Sequence, residues 1–141
     1  MMSRFNRFAL LAVLLLGIAA CGSKPVMNIN SSAPPAVVKG EDDMRRAILT
    51  ALQRRQWTVE RADGGQIMAQ YTRRGHQADI TIPYSAATYS IQYRDSQNLD
   101  YHDGTIHRAY NKWVRKLDRT IQQELRRPSL PTPSDIPGET R

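Results

Sequence analysis

The sequence predicts an α+β domain over residues 41–127, in which an N-terminal and a C-terminal helix pack on one face of an antiparallel four-stranded meander. Apolar residues recur at helical spacing at both ends of this segment, and four runs of alternating apolar and polar residues lie between them. The connections between the runs are short, which favours antiparallel pairing because parallel neighbours need a crossover of a dozen residues or more. We expect both helices to cover the apolar sheet face and the other face to meet water.

The first helix is predicted to begin at the acidic run 41–43. Met44, Ile48 and Leu52 follow at helical spacing, and the pair 54–55, two arginines, ends the segment. Negative charge at the start and positive charge at the end match the helix dipole.

The four strands are predicted from side-chain alternation with a period of two. The alternating runs cover residues 57–60, 67–72, 77–82 and 89–94, with turns at 63–65, 73–75 and 83–87. The turns contain glycine, proline, aspartate and serine, which are the residues that turns require.

The last helix has an apolar face and a basic face. The apolar face comprises Tyr110, Trp113, Val114, Leu117, Ile121 and Leu125. The basic stripe comprises Arg108, Lys112, Lys116, Arg119 and Arg126. Residues 107–127 carry a net charge of +5, whereas residues 41–106 carry −1. The stripe is therefore a candidate surface for an anionic partner, and a solvated face that keeps the domain soluble is the alternative.

The amino end has the pattern of a lipoprotein signal peptide. Two arginines, Arg4 and Arg7, precede thirteen uncharged residues at 8–20, a run too short to span a bilayer, which needs about 20. The run ends in Ile18-Ala19-Ala20-Cys21, which has the form of a bacterial lipobox, and Cys21 is the only cysteine of the chain. We expect residues 1–20 to be removed and Cys21 to be acylated with chains such as palmitate, the alternative being a plain secretory peptide.

Export from the cytoplasm limits which anions the positively charged protein can bind. Gly22 follows the cysteine in place of the aspartate that commonly retains lipoproteins at the inner membrane, so we expect an outer-membrane protein that faces the periplasm. The mature chain carries a net charge of +5. In that compartment the anions are lipid phosphates, lipopolysaccharide and acidic protein surfaces, and nucleic acid is not an expected partner.

Two flanking segments are predicted to be flexible. The acylated cysteine and its tether cover residues 21–40, of which the nineteen from Gly22 would span about 25 Å as a coil. The tail at 128–141 contains four prolines and is predicted to be disordered, either as a frayed end or as a docking peptide.

Few residues suggest chemistry. Asp100, His102, Asp103 and His107 share one loop and are weak candidates for a metal site, but their spacing fits no standard motif and suits a turn equally well. No activated nucleophile is evident, since the only thiol is expected to carry lipid. We therefore expect no cofactor and no enzymatic activity, with a hydrolase as a remote alternative.

Several segments together resemble a group of small proteobacterial envelope lipoproteins that have no assigned activity. They are the lipobox, residues 90–93 and 95–99, and the Ile106-His107-x-x-Tyr110-Asn111-x-Trp113-Val114 segment. The resemblance implies location and fold, and carries no site residue. The expected function is thus a non-catalytic interaction or assembly module tethered to the outer membrane, which contacts an envelope protein or anionic lipid. A periplasmic module that binds an anionic or glycan ligand is the alternative.

Overall fold

The computed structural model describes residues 22–33 and 40–127, which form an α+β fold with two helices, a five-stranded antiparallel sheet and a two-stranded sheet. The elements in chain order are β1 (Ser23–Pro25), β2 (Ile29–Ser32), α1 (Glu41–Arg54), β3 (Thr58–Asp63), β4 (Gln66–Arg73), β5 (His76–Pro83), β6 (Thr88–Gln97), β7 (Thr105–His107) and α2 (Arg108–Leu125). The predicted α+β class with two helices is confirmed. The predicted signal peptide, Cys21 and the Pro-rich tail lie outside the described residues.

The main sheet has five strands, so the predicted four-stranded meander is incomplete. Its order is β2-β6-β5-β4-β3, in which the four predicted strands are consecutive neighbours and β2 adds an edge strand beside β6. The strand β2 reads Ile-Asn-Ser-Ser, which is too short and too polar to show an alternating pattern. Its backbone pairing with β6 defines it as a strand, and single-sequence patterns do not register such pairing.

The flexible tether predicted over residues 21–40 is wrong for residues 22–33. Both β1 and β2 come from this segment, and β1 pairs with β7 immediately before α2. The side chain of Asn111 on α2 holds the connection between them: its Oδ1 accepts from the Met27 backbone N–H at 3.0 Å, and its Nδ2 donates to the Pro25 carbonyl at 2.9 Å. Long-range hydrogen bonds therefore order a segment whose composition is typical of a linker.

One core joins the helices to the apolar face of the main sheet. Its fully buried side chains include Ile48, Leu52, Ile67, Ile80, Ile82, Ile91, Leu117 and Ile121. These residues follow the predicted helical and strand periods, so the predicted faces of α1, α2 and the inner strands are confirmed. Burial of each such side chain contributes about 1.5–3 kcal/mol.

The predicted alternation of inward-facing and outward-facing side chains is interrupted at two shifts in strand register. The first lies between Val59 and Arg61 on the edge strand β3, and Val59, predicted to face inward, is 38% exposed. The second lies at the β5–β6 pairing, where Ile80 faces Tyr93 but Asp79 faces Asp95, so β6 contains one extra residue. Such bulges change which side chains face the core without any change in composition.

Candidate functional site

A cleft of about 470 Å³ opens where the end of α1, the β4–β5 turn and the first half of α2 meet. Its lining contains six basic residues and one histidine: Arg54, Arg55, Arg73, Arg74, Lys112, Lys116 and His76. Among the residues that the structure describes, no aspartate or glutamate is part of that lining. A concave surface of one charge sign focuses the electrostatic field on a bound ion, so the shape and the charge act together.

Three aromatic rings form the floor of the cleft. The ring centroids of Trp57 and Tyr71 are 5.2 Å apart, and those of Tyr71 and Trp113 are 5.0 Å apart in an edge-to-face contact. Trp57 and Tyr71 are buried, at 5% and 8% exposure, and Trp113 is half-buried. This apolar floor lowers the local dielectric constant and strengthens the interaction of the cations with an anion above it.

Two of the six basic side chains already have an ion-pair or hydrogen-bond partner within the protein. Arg54 forms an ion pair with Glu124 at 3.0 Å, and Arg55 Nε donates to the Thr120 hydroxyl at 2.7 Å. The remaining four, which we call the free cations, are Arg73, Arg74, Lys112 and Lys116. Within residues 22–33 and 40–127, none of the four forms an ion pair. Like charges gathered without a counterion repel one another, and an anion in the cleft relieves that repulsion.

Arg74 lies in a backbone conformation that disfavours arginine. Arg73 pairs with His76, so that Arg74 and Gly75 make a two-residue hairpin turn, with φ of 50° and 79° respectively. This turn prefers asparagine or glycine at its first position, because a side chain with φ above zero is strained. Strain of this kind is typical of positions kept for function, and here it places a guanidinium at the rim of the cleft.

His76 connects the cleft to the start of α2. Its Nδ1 lies within hydrogen-bonding distance of the Asn98 carbonyl, and its ring stacks on that of His107, with centroids 5.9 Å apart and planes 4° from parallel. His107 is the N-cap of α2, and its Nδ1 accepts from the backbone N–H of Ala109 at 3.3 Å. Both imidazoles are therefore held by the fold rather than presented as a pair of metal ligands.

The cationic lining suits electrostatic binding of an anion. Among the residues that the structure describes, the lining contains no serine, threonine, cysteine or carboxylate. Arginine presents a planar fork of donors that matches phosphate and carboxylate groups, while lysine supplies a point charge. The arrangement can hold an oxyanion with two or more negative charges.

The structure divides the predicted basic stripe among different surfaces. Lys112 and Lys116 line the cleft, whereas Arg108 lines a separate groove beside β1. Arg119 and Arg126 are exposed and line neither. The stripe as a single anionic-partner surface therefore stays a prediction, while the cleft draws on only two of its five members.

The weak metal candidates do not form a cluster. His102 and Asp103 contact each other at 3.0 Å on an exposed turn, and Asp100 is exposed in the same loop. His107 is instead stacked against His76. In the described part of the chain, no group of three or more histidine, cysteine, aspartate and glutamate side chains is placed to hold a metal ion.

Sequence reasoning missed four of the basic residues of the cleft. Arg54 and Arg55 were assigned to the helix dipole, and Arg73 and Arg74 to a turn. The available signal was that each arginine pair spans the end of a regular element, with one arginine as its last residue and the other directly after it, and all four side chains are exposed. The contribution of Tyr71 and the two tryptophans to one floor has no counterpart in the sequence pattern.

Two buried tyrosine hydroxyls differ in their environments. Tyr89 donates to Asp118 Oδ1 at 2.6 Å and accepts from Gln122 at 2.9 Å, whereas the hydroxyl of Tyr110 is buried and has no hydrogen-bond partner among residues 22–33 and 40–127. Burial raises the pKa of both hydroxyls well above the ordinary value, and for Tyr89 the hydrogen bond to Asp118 raises it further.

We expect the protein to lose stability as the pH rises above about 10. Unfolded tyrosine ionises there, whereas Tyr89 and Tyr110 stay protonated in the folded state, so their contribution is complete below pH 10 and is lost as the pH rises towards their raised values. Each tyrosine costs about 1.4 kcal/mol per pH unit in that range. Denaturant titrations from pH 8 to 11 should show a shallower fall for Tyr110→Phe, and identical slopes for the two proteins would contradict the assignment.

Comparisons with known proteins give no assignment: no protein-family model matches the chain, and no curated protein matches it significantly. In residues 22–33 and 40–127, no helix combines the length and the apolar character needed to cross a membrane.

Proposed function

We propose that this protein is a bacterial envelope lipoprotein, anchored to the outer membrane through Cys21 and facing the periplasm, that acts as a non-catalytic interaction module. The observation that carries the interaction part is the cleft with four free cations over an aromatic floor. The lipobox, the single cysteine and Gly22 support the anchor and its location.

The cleft favours an anionic partner over a neutral glycan. Glycan binding commonly uses an open aromatic ring face, yet Trp57 and Tyr71 are 5% and 8% exposed and pack against each other. Only Trp113 offers part of a ring to solvent. The lining, by contrast, contains cations from three separate elements and no carboxylate. Lipid phosphates and acidic protein surfaces are the periplasmic groups with matching charge.

Neutralising three free cations is expected to weaken anion binding at least tenfold. The variant is Arg73→Gln with Lys112→Gln and Lys116→Gln in the full chain, held in uncharged detergent, with inorganic tripolyphosphate as the probe. Both tryptophans of the chain line the cleft, so intrinsic fluorescence reports on the site directly. We expect a saturable change with the parent protein, because each cation near a concentrated negative charge contributes about 1 kcal/mol.

The matched control removes the same charge elsewhere. Arg45, Arg46 and Arg61 are exposed and lie outside both the cleft and the basic stripe, and their glutamine variant should bind within about twofold of the parent. Arg74→Gly should relieve the backbone strain, raise stability by about 0.5–1 kcal/mol and still weaken binding, which separates binding from folding. Equal weakening of anion binding in the two triple variants would show that binding depends on net charge alone. That result would overturn the assignment of the cleft as the binding site.

A further inference from the structure

We infer that the domain docks directly on the membrane that carries its anchor, with the start of α2 and the groove beside β1 against anionic lipid headgroups. Lys24, Arg108 and Arg115 make this contact. The inference rests on the proposed acylation of Cys21 and goes beyond the cleft, because it assigns a second surface and a fixed orientation.

The first argument is that the chain enters the folded domain immediately after the proposed anchor. The carbonyl of Gly22 accepts a hydrogen bond from the backbone N–H of Arg108 at 3.0 Å. The next residue, Ser23, pairs with His107 as the first position of the β1–β7 ladder. The described chain therefore begins at the start of α2, one residue after the proposed anchor in the sequence. The predicted coil of about 25 Å is therefore not available to lift the domain off the bilayer.

The second argument is that this attachment is held at several points. Asn111 binds the backbone on both sides of Val26 through the Met27 N–H and the Pro25 carbonyl. The N–H of Val26 donates to the Gly104 carbonyl at 2.9 Å, so the loop before β7 also holds it. A segment fixed to a helix and a loop cannot pivot freely, so residues 22–27 keep one orientation relative to α2.

The third argument is charge. The groove beside β1 is lined by Lys24, Pro25, Val26, Met27, Arg108, Asn111 and Arg115, with three cations and no carboxylate. All three cations are exposed. The nearest turn contains Asp103, whose carboxylate contacts His102 at 3.0 Å. Lys112 lies one helical turn from Arg108 on α2. The free cations of the cleft are therefore next to the cations of the groove.

Headgroups of the same leaflet are the occupant that fits these observations. The anchor brings the groove to the lipid surface whatever the affinity of the groove, so its effective concentration there is high. Each of the three cations should then favour an anionic surface over a zwitterionic one by about fivefold.

The test measures orientation on vesicles. The acylated full chain is reconstituted in phosphatidylcholine vesicles with and without phosphatidylglycerol, after mass spectrometry has shown the acyl groups on Cys21. Because acylation blocks the only native thiol, a single introduced cysteine takes a fluorophore, either His102→Cys near the groove or Gln123→Cys, which is about 22 Å further along α2 from Arg108. A quencher attached to lipid headgroups should quench the His102→Cys label several-fold more than the Gln123→Cys label, and more strongly with phosphatidylglycerol present.

Charge variants complete the test. Lys24→Gln with Arg108→Gln and Arg115→Gln should abolish the increase in His102→Cys quenching that phosphatidylglycerol produces, while the Arg45, Arg46 and Arg61 control variant keeps that increase. Equal quenching of both labels on an acylated, vesicle-bound protein overturns this inference and leaves the proposed function intact. An increase with phosphatidylglycerol that survives the groove variant overturns the headgroup contact. A chain without acyl mass that sodium chloride removes from envelopes overturns the proposed function itself.

Discussion

Asn111→Ala is expected to lower the free energy of unfolding by about 2–4 kcal/mol and to release the N-terminal strands. Asn111 is 5% exposed, and its side chain hydrogen-bonds both the Met27 N–H and the Pro25 carbonyl. Alanine leaves both backbone groups without their partner, and each such loss costs about 1–3 kcal/mol when the group stays buried. If the segment detaches, water satisfies those groups but the pairing of β1 with β7 is lost.

Hydrogen exchange with mass spectrometry distinguishes local release of the N-terminal strands from a general loss of stability. We expect faster exchange in peptides that cover residues 22–33, while β4 and β5 keep their protection up to the point of global unfolding. The control is Asn30→Ala, an exposed asparagine on β2, which should change stability by less than about 0.5 kcal/mol. Unchanged exchange at residues 22–33 in Asn111→Ala would show that the segment is held without this side chain, and would also weaken the case for a fixed anchor.

Removing the hydroxyl of Tyr89 is expected to cost about 2–3 kcal/mol, whereas removing that of Tyr110 should cost nothing or stabilise the protein by about 1 kcal/mol. The Tyr89 hydroxyl donates to Asp118, which also accepts from Ser31 at 3.0 Å, so this network joins β2, β6 and α2. A hydrogen bond to a charged group contributes about 1.5–3 kcal/mol. The Tyr110 hydroxyl is buried and has no hydrogen-bond partner in the part of the chain that the structure describes, and phenylalanine removes the cost of burying it.

Both changes delete one oxygen from a buried tyrosine, which makes each variant the control for the other. Urea titrations of Tyr89→Phe and Tyr110→Phe at pH 7 measure the difference, provided that the dependence on denaturant is the same in both. A loss in Tyr110→Phe as large as that in Tyr89→Phe would reveal a partner for Tyr110. A neutral Tyr89→Phe would show that the Asp118 network is satisfied equally well by solvent.

The two surfaces that we assign share α2 but differ in origin. The groove beside β1 depends on a backbone connection at Gly22 and Arg108, and the cleft depends on side chains from α1, the β4–β5 turn and α2. The stack of His76 on His107 lies between them. A docked domain therefore places the cleft near the membrane surface, where phosphate groups are concentrated.

The two helices and the four long strands were predictable because their side chains repeat with the period of the backbone. Residues such as Ile48 and Leu52 on α1, or Ile80 and Ile82 on β5, show in sequence which face is buried. Turn residues were equally informative: Gly64 and Gly65 have φ of 56° and 75°, as the predicted turn requires. Local periodicity and local backbone preference are properties of a short stretch of chain. They are therefore predictable without the tertiary structure.

Contacts between residues far apart in the sequence were not predictable in this way. The strands β1 and β2 exist because β7, β6 and Asn111 supply partners 56 to 86 residues away, and their own residues show no period. The cleft gathers arginines from two turns and lysines from a helix, which are each ordinary surface residues in their local context. Composition and periodicity thus define which residues are buried and where elements begin, while the neighbours across strands and between helix ends arise from the packing of the whole chain. Hydrogen bonds and charges between distant residues depend on three-dimensional distance, which a linear pattern does not encode.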